Sequence, residues 1–257
     1  MIIDVNAGLG SYAFRSLPHS TPEAAIAQMD ANGIDRALVV SLPALLYRDA
    51  HQGNEELAIA IAAFSRRLVG VAAVNPNYPG WEDDLQRSVQ TLGMKAVALH
   101  PEHHGYKLQD PAAQAALKQI EQLGVPLVLT QRFEDRRQRH AWDRAEDLVF
   151  AEVVAALAPF RTLRVHFSNW IGLDGKRMVD AGLKGRCLID FARLHVLLRK
   201  DVPHLIEHLG VEAIAFGSHA PFDYLGPSLV KLSNLDTFSN DDQAQIAWKN
   251  AAAFFRL

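Results

Sequence analysis

Three titratable side chains come at the ends of short apolar runs and could transfer protons near neutral pH. They are His100, Asp190 and His219. Imidazole and carboxylate groups serve as general acids and bases, whereas amides and hydroxyls do not titrate in this range. We predict that His219, His100 and Asp190 are the catalytic residues, with His219 as general base or acid and Asp190 orienting it.

Eight short apolar runs alternate with helical patterns along the chain. The predicted strands cover residues 2–5, 36–40, 69–74, 96–99, 126–129, 163–167, 187–189 and 213–216. Short connections in this order predict parallel strands joined by right-handed crossovers. Eight such units in 257 residues predict an α/β fold, a single (β/α)8 TIM barrel that forms one domain over residues 1–257.

The carboxyl ends of the barrel strands are where such a fold places its chemistry. Polar groups in this position offer hydrogen bonds to a developing oxyanion, and arginines or His100 offer a site for a carboxylate. Aromatic side chains after strand ends are candidates for a pocket wall. The predicted substrate-binding residues are Asn6, Thr130, Arg132, Asn169, Arg193 and Trp170.

Each of these signals has a structural alternative. His219 could be a buried hydrogen-bonded side chain, and Asp190 could form an internal ion pair with Arg193. The adjacent histidines His103 and His104 are predicted to lie in a surface loop. Arginines in the stretch 132–139 alternate with acidic residues, which favours a solvated face.

The composition of the chain limits the classes of molecule that it can be expected to bind. The net charge is −3, with 26 basic and 29 acidic residues interspersed, so the chain lacks the basic surface typical of nucleic-acid or membrane binding. The single cysteine, Cys187, excludes a disulfide framework and a Cys-rich metal site. No basic leader or long apolar run is present, so we predict a soluble cytoplasmic protein. We expect a small-molecule substrate and leave open self-association or pairing with a related chain.

A glycine-rich dinucleotide fingerprint is matched only formally. Gly8, Gly10 and Ala13 have the required spacing after the first strand. That fingerprint needs a helix beginning at the glycines, so that its N-terminus meets the pyrophosphate. Here the N-cap signal is Thr21 followed by Pro22, well downstream, which disfavours a nucleotide cofactor.

Several stretches resemble the amidohydrolase-related proteins of the amidohydrolase 2 type. They are IDVNAGLG at 3–10, LHP at 99–101, GVPLVL at 124–129, FGSHAP at 216–221 and NA at 250–251. The resemblance covers essentially the whole chain. It implies a (β/α)8 barrel that hydrolyses lactones or amides, or decarboxylates small carboxylated or aromatic substrates, commonly with one divalent metal.

The resemblance also implies a metal site from which this sequence departs. The family's histidine pair after strand one falls on Asn6 and Gly8, its later histidines on Thr130 and Asn169, and its aspartate on His219. Losing most of the good ligands should remove most of the metal affinity. We therefore predict no cofactor and a rebuilt, metal-free site.

Two alternative hypotheses about the site and the function remain open. A divalent metal could bind at a relocated site formed by His100, Asp190 and His219. A function of another class is a catalytically silent barrel, which binds a metabolite or pairs with an active relative as a subunit.

Overall fold

Eight parallel strands form the centre of the protein in a computed structural model that describes residues 1–195, 201–235 and 238–257. The strands are β1 (Ile3–Leu9), β2 (Arg36–Ser41), β3 (Leu68–Val74), β4 (Ala96–Leu99), β5 (Leu127–Thr130), β6 (Val165–Ser168), β7 (Cys187–Asp190) and β8 (Ile214–Ala215). Each strand pairs with the next in sequence order. Residues 216–220 return to β1, where Val5 N donates to Phe216 O (3.0 Å) and Gly8 N to Ala220 O (2.8 Å). The predicted (β/α)8 barrel is confirmed.

Helices cover the outside of the barrel. They are α1 (Pro22–Ala31), α2 (Ala50–Ile61), α3 (Trp81–Gln90), α4 (Pro101–His104), α5 (Pro111–Leu123), α6 (Phe150–Leu157), α7 (Gly175–Asp180), α8 (Asp201–Leu209), α9 (Leu225–Ser233), α10 (Asn240–Ala244) and α11 (Asn250–Phe255). A π-helical turn over Gln245–Lys249 joins the last two. Within the described ranges, none of these helices has the length and apolar character needed to cross a bilayer.

Local sequence signals explain where several elements begin. The Thr21 side chain accepts a hydrogen bond from Ala24 N, so α1 starts at the predicted N-cap. β1, in contrast, continues to Leu9 instead of ending at residue 5. Its pairing with β2 shifts between Asp4 and Ala7. This irregularity places Asn6 within the strand, where its side chain faces the mouth of the barrel.

Two apolar layers hold the fold together. Inside the barrel, side chains including Ile3, Val71, Val128 and Leu188 pack with Phe255 of α11. A larger layer fills the space between the strands and the surrounding helices. This two-layer packing keeps the strand ends rigid, which is the condition for holding side chains at the mouth in fixed positions.

A buried carboxylate fastens β1 to the segment after β8. Asp4 Oδ1 accepts hydrogen bonds from Asn6 N and Ser218 N, both at 3.0 Å, and Oδ2 contacts Ser218 Oγ at 2.5 Å. Desolvation by burial is the largest influence on this group, and it raises the pKa of Asp4 to about 7. The contact therefore joins the two ends of the sheet through a carboxyl group that is largely protonated below neutral pH.

This pKa predicts a stability that depends on pH. Between about pH 4 and 7 the folded protein keeps a proton on Asp4 that the unfolded chain has released, so the free energy of unfolding falls as the pH rises through this range. The change amounts to at most about 4 kcal/mol, at about 1.4 kcal/mol per pKa unit. Urea unfolding at pH 5 and pH 7.5 measures it.

The matched variant is Asp4→Asn. Its amide oxygen can accept both backbone N–H groups and its amide nitrogen can donate to Ser218 Oγ, without any titration. We expect the stability of this variant to change less than that of the natural protein between the two pH values. Equal pH dependence in the two proteins would show that Asp4 is not the titrating group.

Candidate active site at the mouth of the barrel

The loop over residues 131–149 lies across the carboxyl ends of the strands and narrows the mouth. The ring of Phe133 lies at the mouth, and its centroid is 5.4 Å from that of His100 and 6.0 Å from that of Phe222. Its carbonyl oxygen is 2.6 Å from His219 Nε2. The cavity left at the mouth is about 20 Å³, enough for about one water molecule. In this conformation the loop closes the barrel, and we call residues 131–149 the cap loop.

His219 lies at the centre of the mouth, in a backbone conformation that few residues adopt. Its φ is 62°, in the left-handed region, and its ring stacks on Phe222 with centroids 5.1 Å apart. Nδ1 faces Asn6 Oδ1 at 3.3 Å. Burial is the main reason why the pKa of His219 lies below its usual value. The ring is therefore a neutral imidazole at pH 7, the form that acts as a base.

Asp190 connects the polar groups beneath His219. It is fully buried. It accepts hydrogen bonds from Asn6 Nδ2 (3.2 Å), Asn169 N (2.9 Å) and Ala192 N (3.0 Å), and His166 Nε2 lies 3.3 Å away. Burial alone would raise its pKa, but the nearby His166 ring and the backbone donors lower it. Asp190 is therefore ionised. It holds the side chain of Asn6, which in turn contacts His219.

The alternative pairing of Asp190 with Arg193 is wrong. The side chain that lies beside Asp190 is that of His166, a residue within the predicted strand 163–167. A strand neighbour can lie directly beside Asp190 in the barrel, whereas the chain turns away after β7 and carries Arg193 to another cavity.

His100 is also buried, at the end of β4. Its two ring nitrogens have no hydrogen-bond partner among the described residues. Burial, followed by the nearby His104 and His103, lowers its pKa well below the usual value. His103 and His104 belong to α4 and are largely covered, and His104 Nε2 lies 3.0 Å from Ala44 O. The prediction of a surface loop at these two residues is therefore wrong.

A polar cavity of about 120 Å³ lies between the cap loop and the segments that follow β6, β7 and β8. Among its lining residues are His219, Asn169, Arg132 and Arg193. Arg132 forms an ion pair with Asp147, with Nε 2.7 Å from Oδ1. Arg193 differs, because its buried Nη1 has no partner in the described part of the chain. Arg193 therefore combines a place in the cavity lining with a guanidinium nitrogen that no described residue satisfies.

The other predicted binding residues have different positions. Thr130 ends β5 and borders the small cavity at the mouth. Asn6 and Asn169 direct their amide nitrogens at Asp190 and at the Arg132 carbonyl, so these donors serve the protein instead of an oxyanion. Trp170 is not a pocket wall. It is fully buried, and its Nε1 donates to Leu129 O at 2.8 Å, so it packs the barrel.

Apart from Arg132, sequence reasoning missed the residues that the cap loop contributes. Phe133 covers the mouth, and Glu134 pairs with Arg15 from the segment after β1. Tyr12 also binds this loop, donating to Asp143 at 2.9 Å. The available signal was the length of the loop and its alternating charges, which indicated solvated residues, whereas several of these charges are buried and paired.

Comparison with solved structures identifies barrels that share this architecture. They include 2,6-dihydroxybenzoate decarboxylase from Rhizobium (16% identity, TM-score 0.75, covering 99% of this chain and 98% of that one) and an amidohydrolase candidate from Staphylococcus aureus (16%, 0.77, 100% and 99%). A third is dihydroxybenzoic acid decarboxylase from Polaromonas with bound manganese and 2-nitroresorcinol (17%, 0.74, 100% and 97%). The fold is that of the amidohydrolase-type barrels.

The amidohydrolase-type fold agrees with the resemblance read from the sequence. A scan of family models and a sequence search of curated proteins both found no match. At 16–17% identity the structural likeness establishes the architecture.

The prediction of no cofactor is wrong for barrels of this type, because the Polaromonas decarboxylase binds manganese. The described residues at this mouth nevertheless do not fit that ion. The small cavity is bordered by His100, His219 and neutral oxygens of residues such as Asn6 and Thr130, and no carboxylate lines it. Manganese prefers carboxylate and water ligands. The donor set described here would leave a manganese ion without its preferred ligands.

Proposed function

We propose that the protein is a hydrolase or carboxy-lyase for a small carboxylated molecule, which binds in the polar cavity beside His219. The observation that carries this proposal is the unpartnered, buried Nη1 of Arg193, a residue that lines the same cavity as His219. A buried guanidinium nitrogen without a hydrogen-bond partner is costly, and a carboxylate is the ligand whose geometry matches it. The decarboxylases of this fold act on carboxylated aromatic rings by name.

His219 is the group that can move a proton in this cavity. As a neutral imidazole it can take a proton from a water molecule that attacks a carbonyl carbon. In a decarboxylation, the ring would first take up a proton from solvent water and then deliver it to the carbon atom that loses CO2. Once the Phe133 contact has opened, an Nδ1–H of the neutral ring can donate to Asn6 Oδ1, which leaves the lone pair on Nε2, and Asp190 holds Asn6. These contacts hold the His219 ring in a single orientation relative to the substrate.

The cap loop controls the size of the substrate. His219 Nε2 bonds to Phe133 O in the closed conformation, and that contact has to open before the nitrogen reaches a ligand. A cavity of about 120 Å³ is smaller than the pockets that hold drug-sized ligands, which are roughly 300–1,000 Å³. Every ligand of His219 Nε2 therefore requires the Phe133 carbonyl to move, and an aromatic acid requires the cavity to widen as well.

The test is a substrate panel combined with Arg193→Gln. Carboxylated phenols, short carboxylic acids, lactones and amides are assayed for CO2 release or hydrolysis, with and without added Mn²⁺. For any substrate that reacts, we expect Arg193→Gln to raise KM by about 10–100-fold, because it removes a charge-assisted hydrogen bond. An unchanged KM would contradict the assignment of Arg193.

Arg137→Gln is the matched control. Arg137 also borders the polar cavity, but its side chain is 88% exposed and pairs with Asp135. Exposed ion pairs contribute little energy, so this change should leave KM within about twofold. Equal effects of the two substitutions would indicate a general influence of charge instead of a defined carboxylate site.

A second candidate function is a ligand-binding barrel without turnover. The closed mouth of about 20 Å³ and the two contacts of the His219 ring favour it. Carboxylates that bind with an affinity dependent on Arg193, without any conversion across the panel, would support this candidate over an enzyme.

A further inference from the structure

Three side chains on α8 place metal-binding atoms together, away from the mouth. His204, Glu207 and His208 follow an i, i+3, i+4 spacing, which puts them on one face of a helix. One ring nitrogen from each histidine and one carboxylate oxygen all lie within 4.8 Å of one another. Among the described residues, this is the group of three or more such side chains that comes close enough to share an ion.

The neighbouring helix α7 contributes to the same place. Asp174, its N-cap residue, has Oδ2 3.8 Å from His204 Nε2. The next residue, Gly175, leaves room for His208, because a Cβ at position 175 would lie 2.8 Å from the His208 Cβ. The close approach of His208 to the start of α7 therefore depends on glycine.

A hydrogen bond already orients one of the rings. His208 Nδ1 lies 3.0 Å from the His204 carbonyl oxygen, so Nδ1 carries the hydrogen and donates it. The lone pair is then on Nε2, the free nitrogen. A histidine that donates one N–H to a carbonyl and presents the other nitrogen has the arrangement typical of metal ligands.

We propose that His204, Glu207 and His208, with Asp174 in reach as a fourth ligand, form a Zn²⁺ site on the surface of the barrel. Two imidazoles and carboxylates are a ligand set that zinc takes, and two carboxylates balance its charge. Ligand atoms around a tetrahedral zinc are about 3.4 Å apart, given bonds of about 2.1 Å. The ligand atoms of the three α8 residues now lie within 4.8 Å of one another and must come closer to reach this distance. The side chains of His204 and Asp174 are 44% and 47% exposed, so they are free to move.

The role of this site is structural. Its ligands come from α7 and α8, and the bound ion joins these two helices in the folded protein. An ion that binds the folded state but not the unfolded chain raises the melting temperature. None of the four residues borders the polar cavity or the mouth as described above, so the site is independent of the proposed reaction.

The experiment uses the full chain without a histidine tag, stripped with a chelator and titrated with Zn²⁺ alone. We expect one zinc ion per chain and a higher melting temperature on loading. His204→Ala and His208→Ala should each weaken zinc binding on the order of 100-fold, since each removes one of about four ligands. Glu207→Gln keeps the shape of the side chain and should also weaken binding.

His19→Asn is the control, because it removes another exposed histidine at a position of positive φ that asparagine tolerates. It should leave zinc affinity unchanged. His208→Ala keeps the Cβ that packs on Gly175. Without zinc, this variant should therefore have the same melting temperature as the natural protein. Absence of zinc binding at micromolar concentration, or equal affinity in the histidine variants and the control, would overturn the proposal.

Discussion

His219→Asn is expected to lower turnover by about 10²–10⁴-fold, the range that a general acid–base group contributes. Asparagine keeps the positive φ of 62° without strain and retains an amide next to Asn6. It has no atom in place of Nε2 and cannot take a proton near pH 7. The loss should therefore appear in kcat, measured on the substrate found by the panel, with little change in KM.

The pH profile separates catalysis from structure. Burial lowers the pKa of His219, so a hydrolysis that uses its neutral ring as the base should speed up as the pH rises through a value below the usual one for histidine. The variant should lose this limb of the profile. His19→Asn, at φ 55°, is the control for a histidine in the same backbone conformation. A kcat for His219→Asn within threefold of the natural value would remove His219 from the mechanism.

Asp190→Ala is expected to reduce the free energy of unfolding by about 3–5 kcal/mol, the cost of removing one partner from a buried charged network. Without the carboxylate, the donors on Asn6, Asn169 and Ala192 lose their acceptor inside the barrel. His166 loses its charged neighbour at the same time. Urea unfolding at pH 7 measures this loss.

The direction of the pH dependence follows from the lowered pKa of Asp190. Its contribution is present above the pKa of an unfolded aspartate and is lost as the pH falls through the folded value. Asp190→Asn preserves volume and one acceptor, so it should cost less than the alanine variant. Asp180→Ala, which breaks an exposed pair with Lys176, should cost under about 0.5 kcal/mol. A loss below 1 kcal/mol for Asp190→Ala would contradict the network.

The barrel was predictable because local signals and periodicity agree. Apolar runs of strand length mark β2, β3 and β4 nearly to the residue. The N-cap at Thr21 marks the start of α1. β1 extends past the predicted end because Ala7 and Gly8 pair with β2 and with the segment after β8. That partner is more than 200 residues away in sequence, and no local pattern encodes it.

The placement of His100, Asp190 and His219 at the strand ends was also predictable, since each ends an apolar run. Their partners were not. His166 reaches Asp190 across adjacent strands, and Phe133 reaches His219 from a long loop whose charges resembled a solvated surface. Trp170 was misread because its position after β6 is compatible with both a pocket wall and core packing, and only its bond to Leu129 decides between them.

The sequence by itself determined the barrel and the set of polar residues at its mouth, because hydrophobic periodicity is a local property and strand ends meet wherever parallel strands close into a barrel. The tertiary structure decided which of these residues touch a ligand cavity, which ones hold each other, and that the cap loop closes the mouth. Those outcomes depend on contacts between segments far apart in the chain, such as Asp190 with Asn6 and Phe133 with His219. Hydrogen-bond partners and buried charges are fixed by these distant contacts, and so are the pKa values that follow from them.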